Sequence, residues 1–293
     1  MAWLQITLET NAEEVDIISD ALMEVGALSV TLKDAADEPV YEPALNTTPL
    51  WGNTQVVGLF DENADIHAVK QSLTRILAPI VLPKYSFELI EDQEWSRAWM
   101  EHFHPMQFGQ RLWICPSWSE PPESDAINIL LDPGLAFGTG THPTTALCLE
   151  WLDQQDDLKQ QTWIDYGCGS GILAIAAAKL GAEKIWCVDN DPQALIATED
   201  NGGKNEVVTV LETCLPEHLP TFQADGLVAN ILANPLITLA ETFARHVKPN
   251  AWVVLSGILK EQSQSVIESY QTYFTLHEIV ERENWIRLVF QKR

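Results

Sequence analysis

At 293 residues with 46% hydrophobic content, the chain exceeds one average domain and can bury more than one core. Against 17 Lys and Arg stand 42 Asp and Glu, a formal charge of −25 that repels phosphate backbones and anionic lipid and attracts basic partners. Nucleic acid is therefore a poor direct ligand, and no apolar run reaches the roughly 18 residues that a membrane span needs. The first residues, MAWLQITLETNAEE, carry no basic stretch followed by an apolar one, so the expectation is a cytoplasmic protein. Cys115, Cys148, Cys168, Cys187 and Cys214 form no CxxC pair, which argues for reduced thiols rather than a zinc site or disulfides.

Residues 1–90 alternate in a regular order: WLQITL (strand), AEEVDIISDALMEVG (amphipathic helix), ALSVTLKD and TQVVGLF (strands), ADIHAVKQSLTRIL (helix), YSFELIED (strand). Asn11 stands where an N-cap belongs and Gly26 where a C-cap belongs. The order β-α-β-β-α-β predicts a small α+β ferredoxin-like domain. Residues 91–124 predict a linker helix and connecting segment. Trp95, Trp99, Trp113 and Trp118 concentrate there beside His102 and His104, a composition suited to packing between domains. PPES marks a loop before residues 125–293.

From Thr162 strands alternate with helices, the signature of a doubly wound α/β sheet. TWIDYG, KIWCVD, DGLVAN and AWVVLSG read as strands; ILAIAAAKLG, DPQALIATEDNGGKN and PLITLAETFARHV read as helices. Gly202 and Gly203 are expected to loosen the end of their helix. FTLHEIVERENWIRLVFQK reads as an antiparallel hairpin at the far end of the sheet.

The strongest chemical signal is DYGCGSG. Asp165 ends a buried strand, and Gly167, Gly169 and Gly171 let the backbone turn tightly and approach a ligand before an alanine-rich helix begins. Ile172 occupies the place of the third glycine of a dinucleotide fingerprint, so a nucleoside suits the turn better than a pyrophosphate. About twenty residues on, Asp189 ends the next strand, where a carboxylate can accept both ribose hydroxyls. Asn230 closes a third strand at the same edge. Together they describe a pocket for an adenosine-bearing ligand; the bland alternative is a plain strand-to-helix turn with Asp189 capping the helix that follows.

DYGCGSG, VDNDP and VANILANPL resemble the class I methyltransferases that use S-adenosylmethionine, over roughly residues 125–293. LDPGLAFGTGTHPTT, FHPMQFGQRLWICPSW and the amino-terminal module extend the resemblance over essentially the whole chain, to the bacterial methyltransferases of large-subunit ribosomal protein eleven. The resemblance implies a Rossmann-like catalytic domain at 125–293 and cofactor contacts from Thr145, Gly167, Asp189 and Asn230, while residues 1–90, which carry no reactive constellation, are expected to recognise the substrate. It also implies methylation of the α-amino terminus and of lysine ε-amines. The loop GLAFGTGTHPTT would then cover the methionine end of the cofactor, with Thr145 as its best-placed hydroxyl. His142, before a proline in that loop, reads as structural rather than as a base.

An ammonium has no lone pair, so the target lysine, with an ordinary pKa of about 10.4, must arrive neutral. Burial in a crevice shifts it in that direction. Asn230 is the expected catalytic residue, its carbonyl accepting an N–H of the neutral amine. The acidic surface suits a basic ribosomal protein and argues against direct nucleic-acid binding, and a monomer is expected. Alternatives are a methyltransferase of another basic protein, a nucleic-acid adenine N-methyltransferase, which NPL disfavours for want of a stacking aromatic, a nicotinamide oxidoreductase, or a docking scaffold without catalysis.

Overall fold

The computed structural model describes residues 2–36, 49–91, 103–123, 125–132 and 142–293. Trp95, Trp99, His102 and residues 134–141 of the glycine- and threonine-rich loop lie outside them. The chain divides into two compact units, residues 1–100 and 101–293.

The first unit runs β1 (Ala2–Asn11), α1 (Val15–Glu24), β2 (Ser29–Asp34), β3 (Asn53–Asp61), α2 (Ile66–Leu77) and β4 (Tyr85–Glu91). Its antiparallel sheet has the order β2-β3-β1-β4. Alternation along β1 buries Leu4, Ile6 and Leu8 on one face, where they meet Val15, Ile18 and Leu22 of α1 and Leu73 and Leu77 of α2. Asn11 is not the cap of α1: its side chain accepts from the Glu13 amide at 2.9 Å and turns the chain out of β1, and the helix begins after Glu14. The stop is as expected, since Gly26 adopts φ +98° while the Ala27 amide bonds back to the Leu22 carbonyl.

The second unit opens with β5 (Met106–Phe108), β6 (Leu112–Cys115) and β7 (Ile127–Leu130), a three-stranded sheet in that order. Residues 103–123, read from sequence as part of a connecting segment, thus contribute to this unit. There follow α3 (Pro143–Asp153), β8 (Thr162–Tyr166), α4 (Ile172–Lys179), β9 (Lys184–Val188), α5 (Pro192–Lys204), β10 (Leu211–Cys214), β11 (Ala224–Asn230), α6 (Ala233–His246), β12 (Val247–Leu259), α7 (Ser263–Tyr270), β13 (Phe274–Arg282) and β14 (Trp285–Lys292). Helix α5 continues through Gly202 and Gly203 rather than loosening there; buried Gly202 leaves room for Leu211.

The large sheet has the order β10-β9-β8-β11-β12-β14-β13. Strands β8 to β12 pair in parallel, and β14 inserts antiparallel between β12 and β13. Both faces are covered, so successive residues of a strand enter different cores. Trp163 and Val228 join a cluster with Leu149, Leu173 and Ala176, whereas Ile164, Leu227 and Ala229 join one with Leu236, Phe243 and Tyr270. This explains the near-continuous apolar runs of the strands. The chain winds from β8 outward through β9 and β10, then crosses back to β11, which puts the topological switch point between β8 and β11. Among the described residues no helix is long and apolar enough to cross a membrane.

Two glycines test the tightness of this packing. A Cβ on Gly226 would stand 2.5 Å from the buried Trp163 ring, whereas one on Gly203, on the exposed side of α5, meets nothing within 4 Å. Gly226→Ala is expected to lose about 1–3 kcal/mol to overpacking and Gly203→Ala to gain about 0.4–1 kcal/mol, both measured by urea unfolding.

Candidate functional site

The site lies at the carboxyl ends of β8, β9 and β11, where sheets of this kind leave a crevice. After Tyr166 the chain cannot continue into α4 without reversing. It does so by placing the Gly167 and Cys168 amides on one acceptor, the Val188 carbonyl at the end of β9, at 2.7 and 3.1 Å. Gly167, at φ +80°, is also where Ile231 packs: a Cβ there would lie 2.1 Å from the Ile231 side chain. The turn therefore demands glycine for both conformation and space.

Asp189 follows β9 and binds this turn rather than capping a helix. Its Oδ2 accepts from the Gly169 amide at 2.9 Å and its Oδ1 from the Asp191 amide at 3.0 Å; the cap of α5 is Asp191, which accepts from the Gln193 amide at 2.9 Å. Each Asp189 oxygen keeps a further acceptor site, so the carboxylate can still receive a pair of hydroxyls. Asn230 ends β11, across the switch point from the glycine turn. Its Nδ2 donates to Thr145 Oγ1 at 3.1 Å, and its Oδ1 is buried with no partner. Thr145 is fully buried in the first turn of α3.

His142 is the N-cap of that helix. Its Nδ1 accepts from the Thr144 amide, its backbone carbonyl accepts from the Thr145 and Ala146 amides, and its ring packs edge-on to Trp285 at 4.9 Å. Burial lowers its pKa, with Glu283 opposing, which suits a ring whose Nδ1 must keep a lone pair. The structural role expected of His142 is the one it fills.

Thus Gly167 and Asp189 meet at the glycine turn, and Thr145 and Asn230 meet across the α3–β11 contact. Sequence reasoning passed over Asp165 as a site member. It is 1% exposed on β8; Oδ2 accepts from the Ala174 amide at 3.0 Å, while Oδ1 has no partner. Burial pushes its carboxyl up to about 7, partly relieved by the Ala174 amide and reinforced by the charge of Asp189. Its place at the end of the strand feeding a GxGxG turn was the available signal. Two unpartnered buried oxygens thus sit in neighbouring strands near the switch point, the Asn230 amide acceptor and an Asp165 oxygen that accepts when ionised and donates when protonated, and each costs free energy until a partner arrives. A ligand carrying both donors and acceptors fits that need, and the groups of the site match an amino-acid and ribose-bearing nucleoside; among the described residues there is no metal cluster.

Strand order, antiparallel β14 and glycine turn together define a class I, Rossmann-like methyltransferase domain. The family model described as "Ribosomal protein L11 methyltransferase (PrmA)" matches residues 2–293. Proteins named ribosomal protein L11 methyltransferase from Nitrosococcus oceani and Pseudomonas putida are 52% identical over 293 residues and 53% identical over 294, in each case covering the whole of both chains. A crystal structure of ribosomal protein L11 methylase from Lactobacillus delbrueckii subsp. bulgaricus aligns with a TM-score of 0.57 at 29% identity, covering 65% of this chain and 98% of that one. The chain belongs to the ribosomal protein L11 methyltransferase family.

Asp165 gives the site a signature in stability. Its folded carboxyl titrates near 7 against an ordinary 3.8, so in that window the folded state holds a proton that the unfolded chain releases. The contribution is complete below 3.8 and fades as pH rises through about 7. Urea titrations of Asp165→Asn and wild type across that window are expected to show the variant gaining relative stability as pH rises.

Proposed function

We propose that this protein transfers methyl groups from S-adenosylmethionine to the α-amino terminus and lysine ε-amines of ribosomal protein L11. The observation that carries the mechanism is the Asn230 amide: its nitrogen is committed to Thr145 and its buried oxygen is left without a donor. A neutral amine has an N–H to give such an oxygen, and a lone pair left over to react. The cofactor, when bound, supplies an activated methyl group on a sulfonium centre. The protein's part is alignment. Thr145 fixes the rotation of the Asn230 side chain, Asp189 offers two acceptors to the ribose hydroxyls, and Gly167 brings the backbone close to the ligand.

Deprotonation of the lysine falls to the crevice, since burial disfavours an ammonium. In this reading the first unit is a ferredoxin-like domain: the element order and sheet order β2-β3-β1-β4 support that assignment. Residues 1–90 hold the substrate protein and 125–293 catalyse; within the intervening segment 91–124, residues 103–123 contribute strands to the second unit. A charge of −25 steers a basic ribosomal protein to the enzyme and disfavours RNA. The protein acts in the cytoplasm, as a monomer, without direct nucleic-acid contact.

Mass spectrometry of unmethylated L11 after incubation with the protein and S-adenosylmethionine tests the reading. Methyl additions on the N-terminal and lysine amines are expected; their absence, with cofactor binding intact, would discard the substrate and keep the fold. Asn230→Ala is expected to lower kcat about 100-fold through lost alignment, and Thr145→Val about tenfold through loss of one hydrogen bond, with cofactor binding less affected in both. Removing residues 1–90 is expected to abolish methylation of L11 while cofactor binding by the remainder persists; undiminished methylation would refute substrate holding by that unit.

A further inference from the structure

Helix α5 carries a feature that its amphipathic pattern does not require. Toward the core it presents Thr198 and half-buried Asn201, with Asn205 at its C-cap, at spacings of three and four in place of apolar residues. Thr198 is fully buried and Asn205 is 3% exposed. Burying polar side chains there is unfavourable unless they find partners, and the partners are backbone or sulfur atoms of the glycine turn, of the end of β7 and of α5 itself.

Thr198 Oγ1 lies 3.1 Å from the Gly169 carbonyl and 3.3 Å from Cys168 Sγ, and Asn201 Nδ2 donates to the Ser170 carbonyl at 2.9 Å. These two side chains hold the glycine turn from behind. One turn further on, Asn205 Oδ1 accepts from the Leu130 amide and its Nδ2 donates to the Leu130 carbonyl, each at 2.8 Å, with a second bond to the Asn201 carbonyl at 2.9 Å. A side-chain amide here does what a neighbouring strand would do for β7, which is an edge strand of its three-stranded sheet. Beside it Lys204 Nζ reaches Asp132 Oδ2 at 3.3 Å, and Asp132 Oδ1 accepts from the Ser117 amide at 2.8 Å.

The stripe thus joins two segments distant in sequence, Cys168–Ser170 and Leu130–Asp132. The first presents the Gly169 amide to Asp189, and the second is the exit of β7, which precedes α3 and its Thr145 in the chain. We propose that Thr198, Asn201 and Asn205 form a positioning clasp that fixes the spacing of these segments and so sets the affinity of the crevice for the cofactor, with Asn205 as its anchor. The inference rests on the assignment of that crevice to S-adenosylmethionine.

Asn205→Asp keeps an acceptor for the Leu130 amide but loses both donated bonds and sets a carboxylate against the Leu130 carbonyl; Asn205→Leu removes all three contacts. Calorimetric titration with S-adenosylhomocysteine is expected to show affinity reduced about tenfold or more in both variants, as KM for the cofactor rises while kcat at saturation stays within about threefold. A residue with a merely structural role would lower the melting temperature and leave the dissociation constant unchanged. Binding by folded variants within about twofold of wild type would therefore overturn the clasp, whereas failure of the wild type to bind would overturn the cofactor assignment beneath it. Hydrogen exchange on the wild type keeps the test independent of variant folding. The Leu130 amide is expected to be protected and to slow further on addition of S-adenosylhomocysteine, and free exchange at Leu130 with and without the ligand would refute the inference.

Discussion

The convergence of two backbone amides, those of Gly167 and Cys168, on the Val188 carbonyl is the contact from which the rest of the site is built. It ties the end of β8 to the end of β9 and forces the intervening chain into a positive-φ turn. The turn then aims the Gly169 amide at Asp189. Because Ile231 closes on the same Gly167, the end of β11 is brought against the turn as well, and Asn230 is placed across the switch point from Asp189. A single tight turn thus sets the separation of groups contributed by three strands. That is why a side chain at Gly167 is excluded twice, by backbone conformation and by the neighbouring isoleucine.

Around this turn the protein keeps two buried oxygens without partners, Asp165 Oδ1 and Asn230 Oδ1. Elsewhere in the second unit several buried polar side chains are matched: Ser256 donates to the Ile286 carbonyl, Tyr270 to the Leu236 carbonyl, and Asp153 accepts from the Gln110 and Arg111 amides. The contrast is informative. Among the described residues the unpartnered buried oxygens, Asp165 Oδ1 and Asn230 Oδ1, stand at adjacent strand ends, whereas the other unpartnered buried atoms of this unit, Trp113 Nε1 and Arg287 Nε, are donors.

The alternation of strands and helices after Thr162 was legible because each strand is apolar throughout and each helix is long, and the polar ERENW turn announced the final hairpin. The insertion of β14 between β12 and β13 was not, since strand order depends on contacts between segments that no local pattern encodes. The short strands β7 and β10, four residues each, fall below the length at which periodicity speaks. In the site, glycine spacing and an acidic strand end exposed Gly167 and Asp189, and the family resemblance drew attention to Thr145. That Thr145 and Asn230 bond to each other is a tertiary fact joining residues 85 apart. The polar stripe of α5 was visible as letters in ATEDNGGKN, but polar residues on a helix ordinarily read as its solvated face. Only burial distinguishes a clasp from a surface.

Charge and chemistry pull in opposite directions in a protein of this kind, and the geometry indicates how they are reconciled. A surface at −25 draws a basic substrate in, yet the same negative field stabilises an ammonium and so opposes the neutral amine that methyl transfer requires. Salt screens charges beyond about 8 Å at physiological strength, so the outcome is decided by the few carboxyls nearest the reacting end of the crevice. Asp189 has its oxygens engaged by the Gly169 and Asp191 amides, which spread its charge into the backbone. Asp165, whose neighbour across the sheet is Val228, two residues before Asn230, has its carboxyl raised to about 7 by burial, so its charge is reduced around neutrality. At these strand ends, then, carboxylate charge is spread into the backbone or reduced by burial. An amide oxygen such as that of Asn230 offers a hydrogen-bond acceptor without the full negative charge that would hold an amine as an ammonium.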